Sequence, residues 1–296
     1  MSLVHVFILS LVEGITEFLP ISSTGHLILI SRLLGIYTTE FTKTFEIAIQ
    51  LGAIMAVVFL YFKKFTQSVD LYKKLFIAFI PTAVVGFILY PFIKGYLLGS
   101  SQVVVWSLFL GGIAIILFEK YHKPTVHPAS PAGRRSLSTV HYFVIGLFQS
   151  ISVIPGVSRA AATIIGGLLT GLKRETATEF SFLLAVPTMF AATSLDIYKS
   201  LSYLNSTNIP ALLFGSFVSF VFAMVSIKFL INYVKKNSFI SFGVYNSIQE
   251  HSAVYCGDEL NADMSSSFGG IPRSLERGGC HKSLSYLNLT NIPTLL

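Results

Sequence analysis

Five apolar runs, at about 44–62, 75–93, 102–118, 179–197 and 211–231, each approach the ~20 residues that an α-helix needs to cross the hydrocarbon core of a bilayer. Few folds are open to a chain built this way. Inside lipid every backbone N–H and C=O needs a partner within the protein, and unbroken apolar runs without strand-like alternation meet that demand as helices. The composition agrees: 53% of residues are hydrophobic and 12% charged, so the expectation is an all-α polytopic membrane protein rather than a soluble domain. The formal charge of +7 then marks cytoplasmic loops and contact with membrane lipids. No basic run is interleaved with aromatics, which argues against a nucleic-acid partner. Residues 1–30 do not read as a removable signal peptide, since they lack a basic start and Glu13 and Glu17 interrupt their apolar run.

Two further apolar stretches, 3–34 and 141–170, are too long for one crossing and too short for two. Limbs of about 14 residues reach only about 21 Å against a core of about 30 Å, so each stretch is expected to enter and leave on one side as a re-entrant helical hairpin. Loop charges set the sides. Loop 63–74 holds Lys63, Lys64, Lys73 and Lys74, and loop 119–140 holds Lys120, Lys123, Arg134 and Arg135. Loop 171–178 adds Lys173 and Arg174, and loop 232–240 adds Lys235 and Lys236, against single lysines in 35–43, 94–101 and 198–210. With the basic loops in the cytoplasm, the hairpins enter from opposite faces and their tips point at each other, in an inverted-topology repeat.

Repeat one covers 1–118 and repeat two 141–248. Pro20 and Pro155 each stand three residues before a serine, and Glu46 and Glu179 are expected counterparts at the start of the next helix. Repeat two stops short: only the opening of its third helix, Phe242 to Ile248, is present, so a packing partner of the second hairpin is expected to be missing. Residues 249–296 form a polar tail that carries both cysteines, Cys256 and Cys280. Within it, 282–296 copies 199–213 with two differences in fifteen positions, which points to a duplication or rearrangement.

Chemistry concentrates where the apolar runs break. Glu13 and Glu17, four apart, share a helix face; Pro20 ends that helix, and Ser22, Ser23 and Thr24 stand at the N-cap of a new one, Gly25 to Leu34. Pro155-Gly156 breaks the second stretch, a helix restarts behind Ser158, and Arg159 and Thr163 follow. Ionisable groups at membrane depth are costly, so each is a functional candidate. Free N–H groups at two restarting helices suit a phosphate, and Arg159 adds a fixed positive fork. Glu13 and Glu17 suit a divalent cation bridging a diphosphate. His26 follows Ser23 by three, shares its helix face, and is a candidate acid, base or phosphoryl acceptor.

Plainer roles compete with these: a solvated face for Glu13 and Glu17, a satisfied helix histidine for His26, simple N-caps for Ser22 and Thr24, and an interfacial anchor for Arg159. Glu46 and Gln50, four apart, either brace the hairpin or touch substrate.

The segments Glu13 to Leu27 (EGITEFLPISSTGHL), Lys43 to Ile54 (KTFEIAIQLGAI) and Pro155 to Arg159 (PGVSR) resemble, in order and spacing, the bacterial undecaprenyl-diphosphate phosphatases of the bacitracin-resistance type, over residues 1 to 248. The resemblance implies an integral phosphatase of the bacterial inner membrane, with its site facing the periplasmic side, which recycles the lipid carrier for cell-wall synthesis. It further implies Mg²⁺ or Ca²⁺ dependence, Ser23 as nucleophile, Glu17 as its base, Arg159 as phosphate clamp, and Ser158 and Thr163 as supporting contacts. His26 joins the catalytic set and Glu13, Ser22 and Thr24 the substrate-binding set, with a homodimer as the assembly to test. Ala160 departs from the serine that commonly follows this motif. The alternative is a polyprenyl-phosphate lipid transporter, since broken helices in inverted repeats also build transporters. A lipid phosphatase of the acid-phosphatase superfamily is disfavoured, because no His-x-x-x-Asp follows Ser158-Arg159. A chain inactivated by its missing last helix is the remaining expectation.

Overall fold

Proline and serine divide both broken stretches into pairs of short helices. The computed structural model describes residues 1–36, 40–92, 96–97, 101–122, 138–200 and 208–248, and all regular structure among them is helical. The first pair is α1 (Leu3–Thr16) and α2 (Ser23–Leu33); the second is α7 (Thr139–Ser150), continued by a 3-10 turn at Ile151–Val153, and α8 (Arg159–Leu169). At 14, 11, 12 and 11 residues these helices are roughly 16–21 Å long. None of them is long enough to cross a bilayer. Each restart is capped from the sequence: Ser22 accepts the Gly25 N–H and Ser158 the Ala161 N–H.

The longer helices are α3 (Glu40–Leu60), α5 (Val69–Phe92), α6 (Ser101–Tyr121), α9 (Arg174–Ser200) and α10 (Ile209–Val234), with a short α4 (Phe62–Gln67) and a final α11 (240–248). Four of them, α3, α5, α6 and α10, are long and apolar enough to span a membrane. Their outer faces suit lipid: Phe87 on α5 is 85% exposed and Phe59 on α3 66%. The chain is a multi-pass membrane protein. The run at 179–197 lies in α9 (Arg174–Ser200), whose opening turns carry Arg174, Glu175 and Glu179.

The basic segment 63–74, expected as a loop, is helical for most of its length. Lysine is a good helix former, Ser68 accepts the Leu71 N–H at the start of α5, and Lys74 pairs with Asp70 one turn away. The segment therefore continues the helices instead of linking them.

Packing crosses between the two halves of the sequence. Helix α1 lies against α10, α7 lies against α5, and α3 joins the halves by touching both α9 and α10. One core cluster draws on both, with Phe18, Val57, Ile145, Ile164, Leu184 and Ile227 buried together. Carbonyls freed by the first break also find partners across the halves: Ser226 donates to the Ile15 carbonyl at 2.7 Å and Asn246 to the Pro20 carbonyl at 3.1 Å. Such pairing is obligatory where water is excluded. The tail 249–296, with Cys256, Cys280 and the copied segment, and the loop residues Lys94, Lys123, Arg134 and Arg135 lie outside the described residues.

Candidate active site

Helix α1 ends at Thr16, and its final turn delivers Glu17 to the break while Phe18 is buried in the core. The backbone then passes through Ser22 at φ 61°, a conformation unfavourable for a residue with a Cβ. That bend folds Ser23, the first residue of α2, back over Glu17. The Ser23 hydroxyl donates to Glu17 Oε2, and both groups are buried.

The second break mirrors this with different residues. Gly156 takes φ 92° against α6, where a Cβ would lie 2.6 Å from the Val104 carbonyl oxygen; only glycine fits the turn. Behind it α8 opens with Arg159, whose Nη2 donates to Glu17 Oε1 at 2.9 Å across 142 positions of sequence. Its Nη1 donates to the Ser181 carbonyl at 3.1 Å, and the guanidinium lies 5.9 Å from the Phe18 ring centre. Glu17 therefore accepts from both halves of the chain, one oxygen to each. The pair is largely withdrawn from solvent, with side chains 12% and 6% exposed, so the attraction is weakly screened. Arg159 Nε is buried and has no partner.

The remaining candidates divide. Thr163 sits one turn along α8, donates to the Arg159 carbonyl and shares a 2.6 Å hydrogen bond with Ser181, so it braces the arginine. Ser158 caps α8. Ser22 caps α2 and gives its carbonyl to His26 Nδ1 at 2.8 Å. The other ring nitrogen of His26 meets the Tyr245 hydroxyl at 2.9 Å. A carbonyl only accepts, so Nδ1 carries the proton and Nε2 takes the phenol's. Both ring nitrogens of His26 are engaged in this arrangement, which links α2 to Tyr245. Thr24 is exposed on α2, away from the face shared by Ser23 and His26, and shares no hydrogen bond with the others.

Glu13, one turn before Glu17, is fully buried and both its oxygens lack a hydrogen-bond partner. Its charged neighbours are Glu17, Glu46 and Arg159. An orphaned buried carboxylate next to the Ser23–Glu17 pair fits the donor set of a hard divalent cation, which takes one or two carboxylates and completes its shell from phosphate and water. Glu17, whose oxygens serve Ser23 and Arg159, has less to offer such an ion. Glu46 and Glu179, both near the start of a long helix, have different surroundings. Glu46 lies beside Glu13, whereas Glu179 forms a half-exposed pair with Lys64 at 2.5 Å.

Sequence reasoning missed Ser181, Tyr245 and Asn246. For the last two the available signal was a Tyr-Asn pair in an apolar helix opening, where polar groups need a reason.

The geometry can be set against known proteins. The sequence profile of the bacitracin resistance protein BacA matches residues 6–249. A protein named undecaprenyl-diphosphatase from Persephonella marina is 53% identical over 250 residues, which cover 84% of this chain and 96% of that protein. Proteins of the same name from a Sulfurihydrogenibium species and Aquifex aeolicus are 51% and 50% identical, over 84% and 80% of this chain and 96% and 92% of their own lengths. A profile match across most of the chain, with relatives half identical along nearly all of theirs, makes this chain a member of the bacitracin resistance protein BacA family.

Proposed function

We propose that the chain hydrolyses undecaprenyl diphosphate to undecaprenyl phosphate and inorganic phosphate, returning the lipid carrier to cell-wall synthesis and thereby lowering sensitivity to bacitracin. The observation that carries this reading is the buried triad in which one carboxylate, Glu17, accepts from the Ser23 hydroxyl and from the Arg159 guanidinium. A hydroxyl held on a base beside a phosphate-binding cation is the requirement for nucleophilic phosphoryl transfer. In this mechanism Ser23 Oγ attacks the terminal phosphorus, the bond to the bridging oxygen breaks, and Glu17 takes the serine proton and passes it to the departing lipid phosphate. Glu17 then accepts a proton from the water that attacks the phosphoserine and returns it to Ser23 Oγ as the O–P bond breaks and inorganic phosphate leaves. Arg159 turns its unpartnered Nε and its Nη groups to the equatorial oxygens, where charge is spread. Glu13 would hold Mg²⁺ or Ca²⁺, which supplies charge neutralisation of the diphosphate when bound.

The same reading places the hairpins as re-entrant elements of an inverted repeat, with α1 on α10 answered by α7 on α5. It puts the site on the periplasmic side of the inner membrane, with basic loops in the cytoplasm. The test is phosphate release from undecaprenyl diphosphate by the purified chain in detergent with Mg²⁺ or Ca²⁺. Ser23→Ala and Arg159→Ala should each lower release by at least about a hundredfold. Release undiminished in Ser23→Ala would refute Ser23 as the nucleophile, and a parent chain that moves the lipid between leaflets without releasing phosphate would favour the transport alternative.

A further inference from the structure

The short helix α11 touches the site twice through consecutive residues. Tyr245 donates to His26 Nε2 and its ring stands parallel to the imidazole, with centres 5.7 Å apart and planes 3° apart. Asn246, buried, donates to the Pro20 carbonyl. The second contact lands on the break between α1 and α2, and the first on the opening turn of α2. His26 relays the first to the Ser22 carbonyl, which accepts from its Nδ1 and also from its backbone N–H at 3.3 Å. Ser22 is the only non-glycine residue among those described with a positive φ, and strained backbone persists only where its surroundings over-determine it. The next residue is Ser23.

Helix α11 is itself held in place. Glu119 at the end of α6 accepts the Phe239 N–H at the start of α11 and pairs with Arg174 of α9 at 2.6 Å. Further along, a Cβ on Gly112 would lie 2.6 Å from the Gly243 carbonyl oxygen and 2.6 Å from Ser247 Oγ. The two helices touch backbone to backbone, so α11 has no room to slide or roll. It forms a fixed abutment, and Tyr245 and Asn246 transmit its position to the turn.

We infer that Tyr245 and Asn246 are positioning residues for the Ser23–Glu17 site, Tyr245 acting through His26 to hold the Ser22 bend that aims the Ser23 hydroxyl, and Asn246 acting through the Pro20 carbonyl. The inference rests on the phosphatase reading above. It assigns His26 to orientation and gives two residues near the end of the family match, which runs to residue 249, a part in the reaction. Misplacement of a nucleophile by an ångström costs turnover far more than substrate capture. Tyr245→Phe, which keeps the stacked ring and removes the hydroxyl, is therefore expected to lower kcat about tenfold with KM within about twofold.

The test combines kinetics with histidine NMR. Phosphate release from undecaprenyl diphosphate is measured for the parent, Tyr245→Phe, His26→Ala and the double variant. If Tyr245 acts through His26, adding Tyr245→Phe to His26→Ala causes no further loss. A Tyr245→Phe chain with unchanged kcat, or fully additive losses, would overturn the proposal. In parallel, ¹⁵N-histidine spectra in micelles identify His26 by the signals that vanish in His26→Ala. The expected tautomer has its proton on Nδ1, with an Nε2 signal that moves in Tyr245→Phe; a proton on Nε2, or an unmoved signal, overturns the brace whatever the activity. Retention of turnover in Ser23→Ala sinks the phosphatase mechanism instead, and leaves the NMR arm to decide the brace alone.

Discussion

Glu17 has both oxygens engaged and Glu13 has neither, although the two stand one turn apart on the same helix. That asymmetry separates stability from function. A buried carboxylate without partners is a cost to the fold, so Glu13→Gln is expected to raise thermal stability in detergent by about 1 kcal/mol while abolishing metal-dependent phosphate release. Unfolding monitored by tryptophan fluorescence, beside an assay titrated with Mg²⁺, reads both effects; a variant that loses stability would show that Glu13 has a structural partner. Glu13, Glu17 and Arg159 were legible in the sequence because ionisable groups in apolar runs have few neutral explanations. Tyr245 and Asn246 were hidden for the opposite reason, since tyrosine and asparagine are ordinary near membrane interfaces and their contacts close loops of 219 and 226 residues. Thr24, one step from Ser23 on the helix, points about 100° away from it and is exposed.

At the scale of elements, two glycines with nearly the same φ separate conformational strain from crowding. Gly156 has φ 92° and would press a Cβ on the Val104 carbonyl, whereas Gly171 has φ 88° with nothing within 4 Å. Gly171→Ala should therefore cost only the left-handed strain, about 1 kcal/mol. Gly156→Ala should cost about 2–3 kcal/mol and also lower kcat, because relief of the clash requires α6 or the start of α8 to move and carries Arg159 with it. Equal losses in thermal unfolding for the two would mean that α6 yields freely. The breaks at Pro20 and Pro155 and the serine-capped restarts could be read from local sequence. The fate of the 63–74 segment could not, because a high lysine count signals orientation and says nothing against helix.

The molecule as a whole is assembled from two halves that complete each other. Helix α1 of the first lies on α10 of the second, α7 of the second lies on α5 of the first, and Glu17 and Arg159 pair across the two. The pattern of long apolar runs and broken ones was plain in the sequence, but which helix receives which hairpin was not, since lipid-facing and protein-facing sides are equally apolar. If the halves fold as units, fragments 1–122 and 138–296 produced together should recover phosphate release and neither alone should show any; recovery by a single fragment would contradict a shared site. The pairing of Glu17 with Arg159 has a further meaning for synthesis. The carboxylate is synthesised 142 residues ahead of its counter-charge, so a half-made chain holds an unmatched acid. If the proposed mechanism holds, the reaction has to wait until both halves have been synthesised and have docked.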